Sequence, residues 1–154
     1  MSQLTLAIAV VTLTFSWLTY AESMTSSVQN EVMASFESLV QASRELNHDA
    51  YFEHFDTEKF VGLNSDGTNW NSIDDLSPLI INGFASIKAI TQLKFTNLKI
   101  SVIDQHTAIL VNEYTQSMEL KNGSLISSAG GGTQVWSKRT GAWKLVSVSA
   151  SNKP

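Results

Sequence analysis

The feature that most constrains this chain is its last third, where long alternating segments follow one another with only tight turns between them. Across residues 106–120, Ala108, Leu110, Asn112, Tyr114, Gln116, Met118 and Leu120 fall on one side. Ile109, Val111, Glu113, Thr115, Ser117 and Glu119 fall on the other. A period of two describes a strand with two unlike faces. Asn122-Gly123, the strongest short hairpin signal, then returns the chain into residues 124–138. With Ser124 the same residues fit a glycosylation acceptor, but the turn needs no assumption about the host. A second tight turn, Lys138-Arg139-Thr140-Gly141, joins Val135-Trp136 to a final strand over residues 143–151. Gly130-Gly131-Gly132, inside the penultimate strand, predicts a bulge and a sharp bend. Such segments, preceded by helices, predict a strongly curved sheet wrapped around those helices.

The upstream part supplies the helices. Over residues 24–46, Val28, Val32, Phe36, Leu39, Val40 and Leu46 recur at the spacing of a helix with one buried stripe. Asn47 stops it, and residues 49–55 predict a short second helix with Tyr51, Phe52 and Phe55 on one face. Phe60-Val61-Gly62-Leu63 and Thr68-Asn69-Trp70 flank Asn64-Ser65-Asp66-Gly67, a hairpin pattern. Ser72 can cap a third helix, with Asp74 and Asp75 at the positive end of its dipole. Gly83 predicts a break in that helix, with a further turn over residues 85–90. The class expected is α+β, and with no repeats or long linkers residues 22–154 read as one domain.

Residues 1–21 differ in kind. Residues 4–18 are apolar and uncharged, and Thr19-Tyr20-Ala21 ends the run in the manner of a secretory cleavage site. The run falls short of the roughly 20 residues of a spanning helix. The expectation is a cleaved signal peptide and a secreted or periplasmic protein without stable membrane association. The alternatives are a retained anchor or a buried helix. With no cysteine, the domain stands on packing alone, and thiolate metal sites are excluded. Charge is lopsided: residues 22–75 hold eleven acids against Arg44 and Lys59, while residues 76–154 hold three acids against eight bases. No basic cluster interleaves with aromatics, so nucleic acid is not an expected partner.

The order of elements and the ending Val135-Trp136-Ser137-Lys138, then Gly141-Ala142-Trp143-Lys144-Leu145-Val146 with Ser151, resembles the nuclear transport factor 2-like (NTF2-like) superfamily. Phe60-Val61, Asp66-Gly67 and Ala108-Ile109-Leu110-Val111 with Tyr114 extend the likeness toward its SnoaL-like, DUF4440-type branch. The resemblance implies a cone-shaped α+β barrel, commonly a homodimer through the outer sheet face, with a pocket between helices and inner face. It also implies a range of chemistries, from ketosteroid isomerases, cyclases and dehydratases to non-catalytic binding domains. Many members carry His where this chain has Ser147 and Ser149, which puts a His-based activity in doubt.

An isomerase-type reaction needs a carboxylate base in an apolar pocket and a donor for the enolate. The pocket-side face of residues 106–120 offers Asn112, Tyr114 and Gln116 instead, with Glu113 and Glu119 directed away. His54 and Asp66 are the weak catalytic candidates; Asp66, like Asp74 and Asp75, has a ready role in a turn or cap. His48 and His54 are six apart and share no helix face, so no metal site or cofactor is expected. The Gly130–Gly132 run lacks the Lys-Ser/Thr of a phosphate loop. The expected ligand-binding set is Tyr51, Phe55, Trp70, Asn112, Tyr114, Gln116, Trp136, Ser147 and Ser149. Aromatic walls with neutral polar groups suit a small apolar or aromatic molecule. The competing expectations are a SnoaL-like enzyme using His54 or a loop Asp, and an interaction module whose barrel is filled by its aromatics and whose outer sheet face does the work.

Overall fold

A computed structural model describes the backbone of residues 4–153 and the side chains of residues 22–153. The elements are α1 (Leu4–Arg44), α2 (His48–Phe52), β1 (Val61–Leu63), β2 (Asn69–Trp70), α3 (Ile73–Ser86), β3 (Ile87–Asp104), β4 (Thr107–Leu120), β5 (Leu125–Ser137) and β6 (Lys144–Asn152). The strands form one curved sheet in the order β2-β1-β6-β5-β4-β3. Only the β1–β6 pair is parallel. The expected leader, residues 1–21, lies outside the residues whose side chains are described. Among the described residues no helix is long and apolar enough to cross a membrane.

The stripe on α1 is what closes the fold. Val28, Val32, Phe36, Leu39 and Val40 are buried against Ala108 and Leu110 of β4, Trp136 of β5 and Leu145 of β6. Apolar side chains at three- and four-residue spacing meet alternate residues of the strands, so one helix face and one sheet face exclude water together. The polar edge of α1 also serves the sheet. Gln29 Nε2 donates to Ile100 O at 3.2 Å and Arg44 Nη2 to Leu93 O at 2.9 Å, occupying two carbonyls of edge strand β3. Glu31 Oε2 accepts from Lys138 Nζ at 2.5 Å and from Trp143 Nε1 at 2.8 Å, tying the β5–β6 turn to α1.

Local signals account for most boundaries. The Asn47 side chain accepts from Ala50 N at 3.1 Å and so caps α2, while Ser72 Oγ accepts from Asp74 N at 3.2 Å and caps α3. Gly67, Gly123 and Gly141 take positive φ in their turns, where a side chain would be strained.

Two expectations fail. First, α3 continues unbroken through Gly83 to Ser86, and residues 87–90 are strand rather than a further turn. Lys121 N donates to Ser86 O and Ile87 pairs with Leu120, so sheet pairing captures the segment where local propensity predicted a turn. Second, the Gly130–Gly132 run carries no bulge: the β4–β5 register is unbroken from Thr107–Ser137 to Glu119–Leu125. The β5–β6 irregularity lies elsewhere, between Val135 and Trp136, which pair with Ser147 and Leu145. Val146 is the extra residue.

Candidate functional site

The helix-facing side of the sheet has two ends. At one, Ala108, Leu110, Trp136 and Leu145 are sealed under α1. At the other, β4 continues the same face with Asn112, Tyr114 and Gln116, and β5 answers them in register with Gly132, Gly130 and Ser128. Glycine opposite a large polar residue leaves room for it to lie across the neighbouring strand. A Cβ on Gly130 would come within 2.7 Å of Tyr114 Oη, and one on Gly132 within 3.3 Å of Asn112 Oδ1. These glycines are therefore packing positions for the candidate side chains rather than a bulge.

The polar groups at this end are neutral and mostly paired. Tyr114 Oη donates to Asn152 Oδ1 at 3.0 Å, and Asn152 Nδ2 donates to Ser65 Oγ at 3.2 Å. That chain links β4 to β6 and to the β1–β2 turn. Gln116 Nε2 donates to Ser128 Oγ at 2.8 Å. Burial raises the pKa of the Tyr114 phenol, so it stays a protonated donor. The exception is Asn112. Its side chain is buried, and Oδ1 has no hydrogen-bond partner. A buried acceptor left unpaired costs about 1–3 kcal/mol.

An aromatic cluster joins α2 and the segment after it to α3. The Tyr51 ring lies 5.5 Å from Phe52, 5.1 Å from Phe55 and 5.6 Å from Phe84, and Phe55 lies 5.1 Å from Phe60. Desolvation pushes the Tyr51 phenol up to about 12. Phe55 and Trp136 are fully packed in the core, so of the expected aromatic set they fill the barrel rather than face open space. Trp70 lies over Gly62 at the β1–β2 edge, where a Cβ would meet its ring at 2.7 Å.

Ser147 and Ser149 are corrected in their placement. They pair with Val135 and Thr133, whose other neighbours are Ile109 and Val111, and with Val61 and Leu63 of β1. Cross-strand partners share a face, so both serines lie on the outer side, away from Asn112. The cause is Val146: one extra residue reverses the parity of everything after Leu145. On that outer side Ser147 and Ser149 line a depression of ≈ 300 Å³ with Val61, Leu63 and Trp70. Ser149 and Asn112 line a second, of ≈ 280 Å³, with Gly131, Gly132 and Thr133.

The two catalytic candidates are placed apart from each other. Asp66 accepts from Thr68 N at 2.9 Å and Thr68 Oγ1 at 2.6 Å, and these bonds hold its carboxyl below the ordinary range. It is an exposed turn residue. His54 follows α2, its carbonyl accepting from Leu145 N at 2.7 Å. Burial, then the nearby Lys144 charge, lowers its pKa. Among the described residues, no three His, Asp or Glu side chains are grouped to hold a metal ion.

Sequence reasoning passed over Phe84, Ser128, Asn152 and the register partners Gly130 and Gly132. The glycines were nearly within reach: equal counting from the two-residue Asn122-Gly123 turn misses by one, setting Asn112 against Thr133, whereas the observed Leu120–Ser124 closure sets Gly132 against Asn112 and Gly130 against Tyr114. Phe84 offered no such signal, because its contact with Tyr51 joins two helices distant in sequence.

Known structures place this architecture. A proposed dehydratase of the NTF2-like family from Streptomyces avermitilis superposes with a TM-score of 0.72 at 16% identity, covering 83% of this chain and 97% of that one. An NTF2-like superfamily protein from Salmonella enterica gives 0.75 at 16%, over 84% and 94%. A proposed scytalone dehydratase from Novosphingobium aromaticivorans gives 0.76 at 8%, over 86% and 89%. At such identities the likeness defines the fold class: an NTF2-like α+β barrel. Residues 32–153 also match the SnoaL-like domain, and the chain belongs to that family. No curated protein matches it.

Proposed function

We propose that this SnoaL-like domain binds a small, uncharged organic molecule with an apolar or aromatic body at the Asn112–Tyr114–Gln116 end of its helix-facing sheet. The observation that carries the reading is the buried Asn112 Oδ1 without a partner. A fold tolerates such an acceptor poorly unless something else donates to it in the working state. Around it stand neutral amides and hydroxyls, and the carboxylates of β4, Glu113 and Glu119, alternate to the opposite face. A neutral polar lining selects for one or two hydrogen bonds rather than for charge. The leader-like residues 1–21 support work outside the cytoplasm. Val61, Leu63 and Val111, exposed on the outer face, support a homodimer formed through it.

The test is thermal-shift screening of the domain against neutral steroid, terpenoid, polyketide and aromatic compounds. A ligand at 100 times its Kd should stabilise the fold by about 2.7 kcal/mol. The effect should vanish in Asn112→Leu. A compound that stabilises both proteins equally binds elsewhere and defeats the assignment.

A second reading, an isomerase-, cyclase- or dehydratase-type enzyme, draws on His54. Its lowered pKa leaves the imidazole neutral near pH 7 and able to accept a proton. Under that reading His54→Ala removes turnover of a bound compound while its affinity is kept; unchanged turnover removes His54 from consideration.

A further inference from the structure

A groove of ≈ 460 Å³ lies between α1 and the free edge of the sheet at β3. Its floor is apolar, with Phe36 and Val40 from the helix and Leu93 and Phe95 from the strand. The Phe36 and Phe95 rings meet edge to face at 5.1 Å and close the floor toward the core. The rim is charged: Arg44 and Glu37 of α1 line the groove, while the side chain of Lys94, paired with Thr115, alternates to the opposite sheet face. Among the described residues none of these three forms an ion pair. This lack of neutralisation is notable for Arg44, one of only two bases among the eleven acids of residues 22–75.

Arg44 is also held in place. One of its nitrogens donates to Leu93 O at 2.9 Å, which fixes the guanidinium across the groove. The remaining donors of its five can still serve a ligand. The same bond argues against a peptide adding to this edge as a further strand. Such an addition needs the β3 carbonyls, and Arg44 and Gln29 already occupy those of Leu93 and Ile100. What the groove offers is therefore an apolar floor of small-molecule size with one fixed cation, Arg44, above it and one acid beside it.

We propose that this groove binds a small organic carboxylate, its apolar body on the Phe36–Phe95 floor and its carboxylate on Arg44. The site is separate in chemistry from the neutral end at Asn112 and does not depend on the function proposed there. Phe95 and Leu93 pair with Tyr114 and Gln116 in the β3–β4 register, so the two sites are neighbours, and an acid in the groove would sit one strand away from the neutral ligand.

The experiment titrates phenylbutyrate, and its uncharged analogue phenylbutanol, into the protein while backbone amide resonances are followed by NMR. Phenylbutyrate should shift resonances of residues 36–44 and 93–95 and bind about tenfold more tightly than the alcohol, the worth of one charge-assisted hydrogen bond. Arg44→Gln should erase most of that difference and leave the alcohol unaffected, and Glu37→Gln should tighten the acid by removing a repulsive charge. Lys94→Gln, on the opposite sheet face, should leave the difference unchanged. The proposal is overturned if acid and alcohol bind alike, or if Arg44→Gln binds the acid unchanged. It is also overturned if the shifts gather at Asn112 and Tyr114, or if no saturable shift appears up to about 10 mM, ten times weaker than a millimolar ligand.

Discussion

Gln134 and Asn112 are both buried amides on the helix-facing side of the sheet, 9% and 7% exposed, on adjacent strands. Gln134 stands opposite Leu110, and its Oε1 accepts from Trp136 Nε1 at 3.0 Å. Asn112 stands opposite Gly132, and its Oδ1 accepts from nothing. Two residues along β4 thus separate a finished core from an unfinished one. At the sealed end a polar atom is admitted only with its partner, inside a cluster held by Trp136, Leu110 and Leu145. At the open end the partner strand supplies glycine, which gives space and no hydrogen bond. A strand can therefore serve both as core and as binding wall, because the period of two keeps its face constant while the opposing residue changes.

The sharpest test of that division is to remove bulk at the sealed end. Trp136 is fully buried, and Trp136→Ala should cost about 3–5 kcal/mol, the range for large-to-small changes with a residual cavity. Denaturant unfolding with an unchanged m-value reads it directly. A loss below about 1 kcal/mol would mean that the two ends do not differ in packing.

Next in size come the glycines. Gly130→Ala drives a methyl into Ser151 O and the Tyr114 ring. Backbone cannot give way cheaply, so about 1–3 kcal/mol should be lost. Gly131→Ala meets nothing closer than 3.5 Å and should stay within about 0.5 kcal/mol. Equal effects at the two positions would refute the assignment of Gly130 to the Tyr114 face, since only the face distinguishes them.

Much of this was legible in the sequence. The α1 stripe, the Asn122-Gly123 turn and the β4 alternation are strong local signals for α+β, while the NTF2-like resemblance rested on the order of elements and on segments such as residues 135–138 and 141–146. The site was legible only along β4. The parity of β6 could not be read, because the extra residue Val146 has no glycine or proline to announce it. A slip of one residue moved Ser147 and Ser149 to the outer face. Conversely, the three glycines announced a bulge that is not there; two of them, Gly130 and Gly132, make room for Tyr114 and Asn112. Gly83 predicted a helix break for the same reason: glycine marks permission in the sequence, and tertiary contacts decide whether it is used. The groove at Arg44 and Leu93 joins a helix to an edge strand far apart in the chain, which no local pattern records.

Asn112→Leu sharpens the comparison with an opposite sign. Leucine keeps the volume roughly and removes the unpaired acceptor, so the free protein should gain about 1 kcal/mol. The same substitution should abolish binding of any neutral ligand found by screening. Stability gained with function lost is the expected signature of a site, whereas a loss of stability would mean that Asn112 is satisfied in solution and belongs to the core.

The smallest effect concerns what fastens the sealed end. Glu31 receives Lys138 and Trp143, and the Lys138 hydrogen bond, then that of Trp143, lowers its pKa from an ordinary 4.5. A carboxyl with a depressed folded pKa binds its proton more readily in the unfolded chain. Its contribution is therefore complete above pH 4.5 and lost as pH falls through that value toward the folded pKa. Because the Glu31 side chain is 41% exposed and Lys138 is 36% exposed, solvent screens the pair, and its worth should stay under about 1 kcal/mol. Glu31→Gln can still accept from the indole of Trp143 but no longer holds the lysine as an ion. Its unfolding free energy should fall slightly below that of the parent at neutral pH and converge with it in acid. Stability measured against pH for both proteins gives the answer: parallel curves with no convergence would show that the charge of Glu31 plays no part in holding the β5–β6 turn to α1. The open end offers a built-in contrast, since Asn112 and Gln116 do not titrate, and Asn112→Leu should displace the whole curve without changing its slope.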